Sequence, residues 1–77
     1  MEQASDTAVA LVVDDEAMNV FCMRGILKNL GISSDSTMVS KRAVTLVEDR
    51  IAKVKEGKAQ MYKVFLIDYS MPDFDGL

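Results

Sequence analysis

Two continuous apolar runs, each followed directly by aspartate, constrain the fold of this chain most. The first is residues 8–13, AVALVV, and it is followed by Asp14 and Asp15. The second is residues 64–67, VFLI, and it is followed by Asp68. Unbroken apolar runs of this length are typical of strands that are buried on both faces, as in a parallel sheet. The intervening chain has room for two helical crossovers, so the pattern predicts an α/β fold.

The segment after the first run predicts a helix that ends near Leu30. Asp14 or Asp15 can cap its start, and Gly31 supplies a left-handed residue at its end. The predicted apolar stripe consists of residues at helical spacing: Val20, Met23, Leu27 and Leu30, widened by Phe21 and Ile26.

A second helix is predicted from Lys41 to about Glu56, with Ser40 as its cap and Gly57 at its end. Its predicted stripe is again defined by helical spacing: Val44, Val47, Ile51 and Val54, with Ala43 and Leu46 beside them.

The remaining strands complete the order β-α-β-α-β. A second strand is expected within Ser33–Val39, although residues 33–36 resemble a turn and only residues 37–39 favour a strand. The third strand is expected over Tyr62–Ile67, followed by a loop from Asp68 to Leu77. Alternating strands and helices imply a parallel sheet with right-handed crossovers. Residues 1–7 are expected to form a flexible tail on a single domain, residues 1–77.

Composition argues against several classes of function. A net charge of −3 disfavours nucleic-acid binding, which normally requires a basic surface. Cys22 is the only cysteine and the chain has no histidine, so it has neither an internal disulfide nor the ligands of a typical zinc site. No apolar run approaches the roughly 20 residues of a membrane span, and a cytoplasmic location is the default expectation.

Asp14, Asp15 and Asp68 carry the sharpest chemical hypothesis. Ligands of open α/β sheets bind beyond the carboxyl ends of the strands, and adjacent strands lie about 4.8 Å apart. If the first and third strands are neighbours, these carboxylates can share one cation, and Mg²⁺ suits an all-oxygen site. One carboxylate could also act as a nucleophile toward a phosphoryl group. Alone, the pair Asp14-Asp15 is equally well explained as a helix cap, and an isolated Asp68 is more often a turn residue. Together, at the ends of two apolar strands, the three favour the metal site.

Two segments then indicate a family. Residues 12–16, VVDDE, together with residues 66–76, LIDYSMPDFDG, resemble the receiver domain of two-component response regulators. The second segment matches that family's phosphoacceptor motif, and Asn19 is similar to receivers attached to hybrid histidine kinases. The resemblance implies a partial flavodoxin-like fold with the parallel strand order 2-1-3.

The resemblance also implies roles for particular residues. Asp68 is the expected phosphoacceptor, and Asp14 and Asp15 are expected to hold Mg²⁺ together with the backbone carbonyl of Ser70. The phosphoryl donor is expected to be a histidine kinase or a histidine phosphotransfer protein, and the chain is expected to be a signalling domain rather than an enzyme. Met71-Pro72 and Asp75-Gly76 are expected to shape the loop.

The resemblance covers only part of a receiver, because the family domain has five strands and this chain stops after the loop of the third. We therefore expect an incomplete domain whose third strand lies at a sheet edge and could promote self-association. An alternative is an interaction module that binds a kinase or phosphotransfer partner without stable phosphorylation. A phosphatase with an aspartate nucleophile is disfavoured, because Ser70 occupies the position where the haloacid-dehalogenase motif has a second aspartate.

Overall fold

The computed structural model describes residues 7–68, and the predicted order of elements is confirmed there. The elements are β1 (Ala10–Val13), α1 (Ala17–Asn29), β2 (Ser34–Thr37), α2 (Ser40–Lys55) and β3 (Val64–Ile67). The strands are parallel and ordered β2-β1-β3, so β1 is central. This is the arrangement of a partial flavodoxin-like fold, as expected.

The core lies on both faces of β1, whose four residues are all buried. Leu11 and Val13 point toward α2, and Ala10 and Val12 point toward α1. This alternation follows from the two-residue period of a strand, and it explains why the first apolar run is unbroken. The packing partners are Ala43, Leu46 and Tyr62 on the first face, and Val20 and Leu27 on the second.

β2 is the unexpected element, because all four of its residues are polar and three of them, Asp35, Ser36 and Thr37, are buried. The predicted window was correct, but the strand occupies the part that resembled a turn. Arg24 of α1 donates from Nε to Ser34 Oγ at 3.2 Å and from Nη2 to Ser34 O at 3.1 Å. Distant side chains thus satisfy polar groups that would otherwise make a buried strand unstable.

Asp35 belongs to a buried network with Arg50 and Tyr62. The Arg50 guanidinium pairs with Asp35 at 3.2 Å and donates to Ala8 O and Gln60 O, both at 2.8 Å. The Tyr62 hydroxyl donates to the same Asp35 oxygen, and the Arg50 guanidinium lies 4.1 Å from the centre of the Tyr62 ring. One arginine therefore joins α2 to β2 and to the segments that lead into β1 and β3.

The predicted helix ends are correct at the glycines. Gly31 and Gly57 have φ of 78° and 74°, a backbone conformation that residues with a side chain rarely adopt. After α1, Ile32 N donates to Leu27 O and Gly31 N donates to Lys28 O, the two bonds of a Schellman motif. The residues after the helices therefore turn back toward the sheet.

The predicted caps at the helix starts are wrong. Val39, not Ser40, is the N-cap of α2, and Glu16 is the N-cap of α1; neither side chain makes a capping hydrogen bond. Ser40 is instead the first helical residue, and within the described chain its buried Oγ has no hydrogen-bond partner. Asp14 accepts from Glu16 N at 2.9 Å, so it shapes the turn before α1 rather than capping the helix.

The predicted helix stripes are only partly correct. In α1, Val20 and Leu27 are buried, whereas Phe21, Ile26 and Leu30 are exposed. In α2 the buried face is displaced by about one residue from the predicted stripe, because Arg50 must reach Asp35 beneath the helix. That face consists of Ser40, Ala43, Leu46 and Arg50, while Val44, Ile51 and Val54 are exposed.

Candidate metal centre

The parallel register places the two acidic groups at the same edge of the sheet. Val13, the last residue of β1, is aligned with Ile67 of β3 and with Thr37 of β2. The residues that follow, Asp14 and Asp68, therefore begin side by side. Asp68 N donates to Val13 O at 2.9 Å, which extends the β1–β3 pairing to the aspartate itself.

Asp14, Asp15 and Asp68 meet at this edge. One carboxylate oxygen from each of the three lies within 4.8 Å of the other two. Asp14 is 3 % exposed, Asp68 is half-buried, and Asp15 is exposed. Three like charges at this separation repel one another, and a divalent cation bound between them would offset that repulsion.

Main-chain contacts fix the position of Asp14. Its N–H donates to Thr37 O at 3.3 Å, and its Oδ1 accepts from Glu16 N at 2.9 Å. The turn that this second bond closes leads directly into α1, whose N-terminus carries a partial positive charge. Asp14 is therefore held by β2 on one side and by the start of α1 on the other.

The end of β2 contributes a support that sequence reasoning missed. Thr37 Oγ1 accepts from Val39 N at 3.1 Å and donates to Val39 O at 3.3 Å, which holds the turn into α2. Thr37 O is also the acceptor for Asp14 N. The sequence feature that could have predicted this support is a threonine at the end of a strand, where the hydroxyl commonly forms hydrogen bonds with the adjacent backbone.

The other predicted site residues lie outside the described part of the chain. These are Ser70, whose carbonyl is the fourth predicted ligand, and the loop-shaping residues Met71, Pro72, Asp75 and Gly76. Their roles stay predictions. The residues that the structure does bring together are Asp14, Asp15 and Asp68.

The donor set fits a hard cation. It consists of carboxylate oxygens alone, which Mg²⁺ prefers, and a site with few protein ligands leaves positions for water or for phosphate oxygens. The chain has no histidine, and Cys22 lies on the exposed surface of α1, so a softer metal has no suitable ligands here. A cation held by these carboxylates could position a phosphoryl group, and one carboxylate of the cluster could offer an oxygen nucleophile to it.

Comparison of the chain with protein-family models, with curated proteins and with solved structures found no match. No helix among residues 7–68 has both the length and the apolar character needed to cross a membrane.

Proposed function

We propose that this chain is a phosphoacceptor module of the response-regulator receiver type, which accepts a phosphoryl group from phosphohistidine on Asp68 with the help of Mg²⁺. The observation that carries the proposal is the meeting of three carboxylates from two strand ends, with oxygens within 4.8 Å of one another. The match of residues 66–76 to the receiver phosphoacceptor motif supports the same assignment. The donor is a histidine kinase or a histidine phosphotransfer protein, in the cytoplasm.

In the proposed reaction, a carboxylate oxygen of Asp68 forms the new bond to phosphorus. The N–P bond of the donor breaks, its electron pair returns to the imidazole nitrogen, and Asp68 becomes an acyl phosphate. Asp68 suits this role because its N–H donates to Val13 O, which fixes its backbone at the end of β1, beside Asp14.

Asp14 and Asp15 would hold the cation and leave Asp68 to react. Bound Mg²⁺ would neutralise charge on the phosphoryl oxygens, which is the main contribution a metal makes to phosphoryl transfer. Asp14 is the better-fixed of the pair, since it is buried and hydrogen-bonded to the start of α1. Asp15 is exposed and can bind the ion directly or through water.

The test is phosphorylation of the chain by phosphoramidate or acetyl phosphate in the presence of Mg²⁺, followed by intact-mass spectrometry. We expect the mass of one phosphoryl group to be added, and to be lost after hydroxylamine treatment, which cleaves acyl phosphates. Asp68→Asn should abolish the adduct. Asp49→Asn, which removes an exposed carboxylate from α2, is the matched control and should retain it.

Two results would contradict the proposal. One is a folded protein that gains no phosphoryl group under conditions that phosphorylate a known receiver. The other is an adduct that persists in Asp68→Asn. Asp14→Asn separates the roles within the site, because it should weaken Mg²⁺ binding, so that phosphorylation needs more Mg²⁺, while Asp68 stays available to react.

The second candidate function is an interaction module that binds a kinase or phosphotransfer partner without stable phosphorylation. The exposed apolar side chains of α1 favour it, since Met18 and Phe21 are 68 % and 67 % exposed and Cys22 lies beside them. β3 also has β1 as its only neighbouring strand within residues 7–68, so self-association through this edge is a related possibility. Partner binding that is lost in Phe21→Ser but retained in Asp68→Asn, with no adduct in the wild type, would favour this candidate.

A further inference from the structure

A cavity of about 380 Å³ lies at the end of the sheet opposite the three aspartates. Its walls are formed by the segment before β1, residues 7–9, and by the connector after α2, residues 57–61, with Arg50 and Lys63 completing them. The volume is within the range of sites for small molecules, roughly 300–1,000 Å³. Arg50 holds both of these segments in place, because its side chain donates hydrogen bonds to the main-chain oxygens of Ala8 and Gln60.

The charge around this cavity is positive although the chain as a whole is acidic. Three of the residues that line it are basic, Arg50, Lys58 and Lys63, and none is acidic, whereas the whole chain carries −3. The cavity lies at the end of the sheet opposite the acidic edge, and its basic lining is the surface of the two that would attract an anion.

The lysines, rather than Arg50, are the groups available to a ligand. The charge of Arg50 is balanced by the buried Asp35 at 3.2 Å. Lys58 pairs with Glu56 at 3.2 Å, but both side chains are more than half exposed, and such pairs are weak and easily exchanged for a better anion. Lys63 is exposed and has no ion-pair partner among the described residues.

We propose that this cavity binds a small ligand that carries two or more phosphate groups, with Lys58 and Lys63 contacting the phosphates. Lysine ammonium groups bind phosphate oxygens as point charges, and two of them at one cavity favour a ligand with two phosphates over a ligand with one. The site is separate from the Asp68 centre, and its occupation does not require phosphorylation.

The test is a titration of the ¹⁵N-labelled chain with inorganic pyrophosphate, followed by NMR in Mg²⁺-free buffer with EDTA. We expect saturable shifts for amides of residues 57–61 and of Lys63, and none for Asp14 or Asp15. Orthophosphate should bind more weakly. Lys63→Gln should weaken pyrophosphate binding roughly tenfold, the loss expected for one charged hydrogen bond.

Lys41→Gln is the matched control, because it removes the same charge from an exposed lysine at the start of α2, outside the cavity. We expect it to change the dissociation constant less than about twofold, since distant surface charges are screened by salt. The proposal is overturned if the shifts do not saturate, if orthophosphate binds equally well, or if Lys41→Gln weakens binding as much as Lys63→Gln does.

Discussion

Arg50→Met should destabilise the protein more than any surface substitution, because it removes the centre of the buried network. Arg50 is 3 % exposed and Asp35 is 1 % exposed, so loss of the guanidinium leaves a buried carboxylate without its counter-charge. Breaking a buried ion pair from one side costs about 3–5 kcal/mol. A 77-residue domain has a total stability of roughly 4–12 kcal/mol, so the variant is expected to lose a large share of it.

The assay is urea unfolding followed by far-UV circular dichroism, in EDTA so that metal binding does not contribute. Lys41→Met is the control, since it also replaces a cationic side chain by methionine, at an exposed position of the same helix. We expect it to change the free energy of unfolding by less than about 0.5 kcal/mol. A loss below about 1 kcal/mol for Arg50→Met, or equal losses for the two variants, would refute the reasoning about desolvation.

A combined variant tests the same mechanism from the other direction. Arg50→Met with Asp35→Leu and Tyr62→Phe removes the unpaired charge along with its partners, and apolar replacement of buried ion pairs is often neutral or stabilising. It should recover part of the loss caused by Arg50→Met alone. Recovery should be incomplete, because Ala8 O and Gln60 O still lack the donors that Arg50 provided. A combined variant that is less stable than Arg50→Met would contradict this explanation.

Three further predictions concern Tyr62, the pair Gly25 and Gly31, and Arg24. Burial raises the pKa of Tyr62 above its usual value near 10, and its hydrogen bond to Asp35 adds to the effect. Above about pH 10, Tyr62 loses its proton in the unfolded chain but keeps it in the folded protein, so this group should lower the free energy of unfolding by about 1.4 kcal/mol per pH unit. Urea unfolding at several pH values should show that Tyr62→Phe removes this part of the pH dependence. Gly25→Ala should stabilise the protein by about 1 kcal/mol and so raise the thermal midpoint, because Gly25 is inside α1 with open space around it. Gly31→Ala should lower the thermal midpoint, because φ at Gly31 is 78°. Arg24→Met should lower the free energy of unfolding by about 1–3 kcal/mol and increase amide exchange in β2, since the side chain of Ser34 loses its donor; unchanged exchange would contradict this.

The sequence predicted the central strand, the third strand and the approach of their aspartates. These predictions depend on local properties: an apolar run reports burial on both faces, and parallel pairing brings the carboxyl ends of strands to one edge. Gly31 and Gly57 were also predictable, because the left-handed conformation after a helix strongly favours glycine. The metal itself and the phosphoacceptor role of Asp68 stay predictions.

The polar strand β2 could not be recognised reliably from its own residues. Asp35 is stable inside the protein only because Arg50 and Tyr62, distant in sequence, provide its partners. Strand propensity is judged from a residue and its neighbours along the chain. It therefore contains no information about partners that are distant in sequence. A buried polar segment of this kind resembles a turn until its partners are known.

The same network explains the misplaced face of α2. The stripe of valines and isoleucine follows helical spacing, and hydrophobicity alone selects it. The observed face instead includes Arg50, whose hydrogen bonds are made only when it points toward the sheet. Arginine on an apolar face is normally an argument against burial, so the sequence pattern indicated the wrong rotation of the helix.

We propose that Asp14, Asp15 and Asp68 form one binding site for a divalent ion. The most direct measurement is paramagnetic broadening of amide signals in the ¹⁵N-labelled chain by substoichiometric Mn²⁺, with displacement by Mg²⁺. We expect broadening centred on residues 13–17 and 67–68, reversed by Mg²⁺ and lost in Asp14→Asn, while residues 57–61 at the opposite end of the sheet keep their signals. Broadening centred elsewhere, or a folded protein whose spectrum does not respond to either ion, would contradict it.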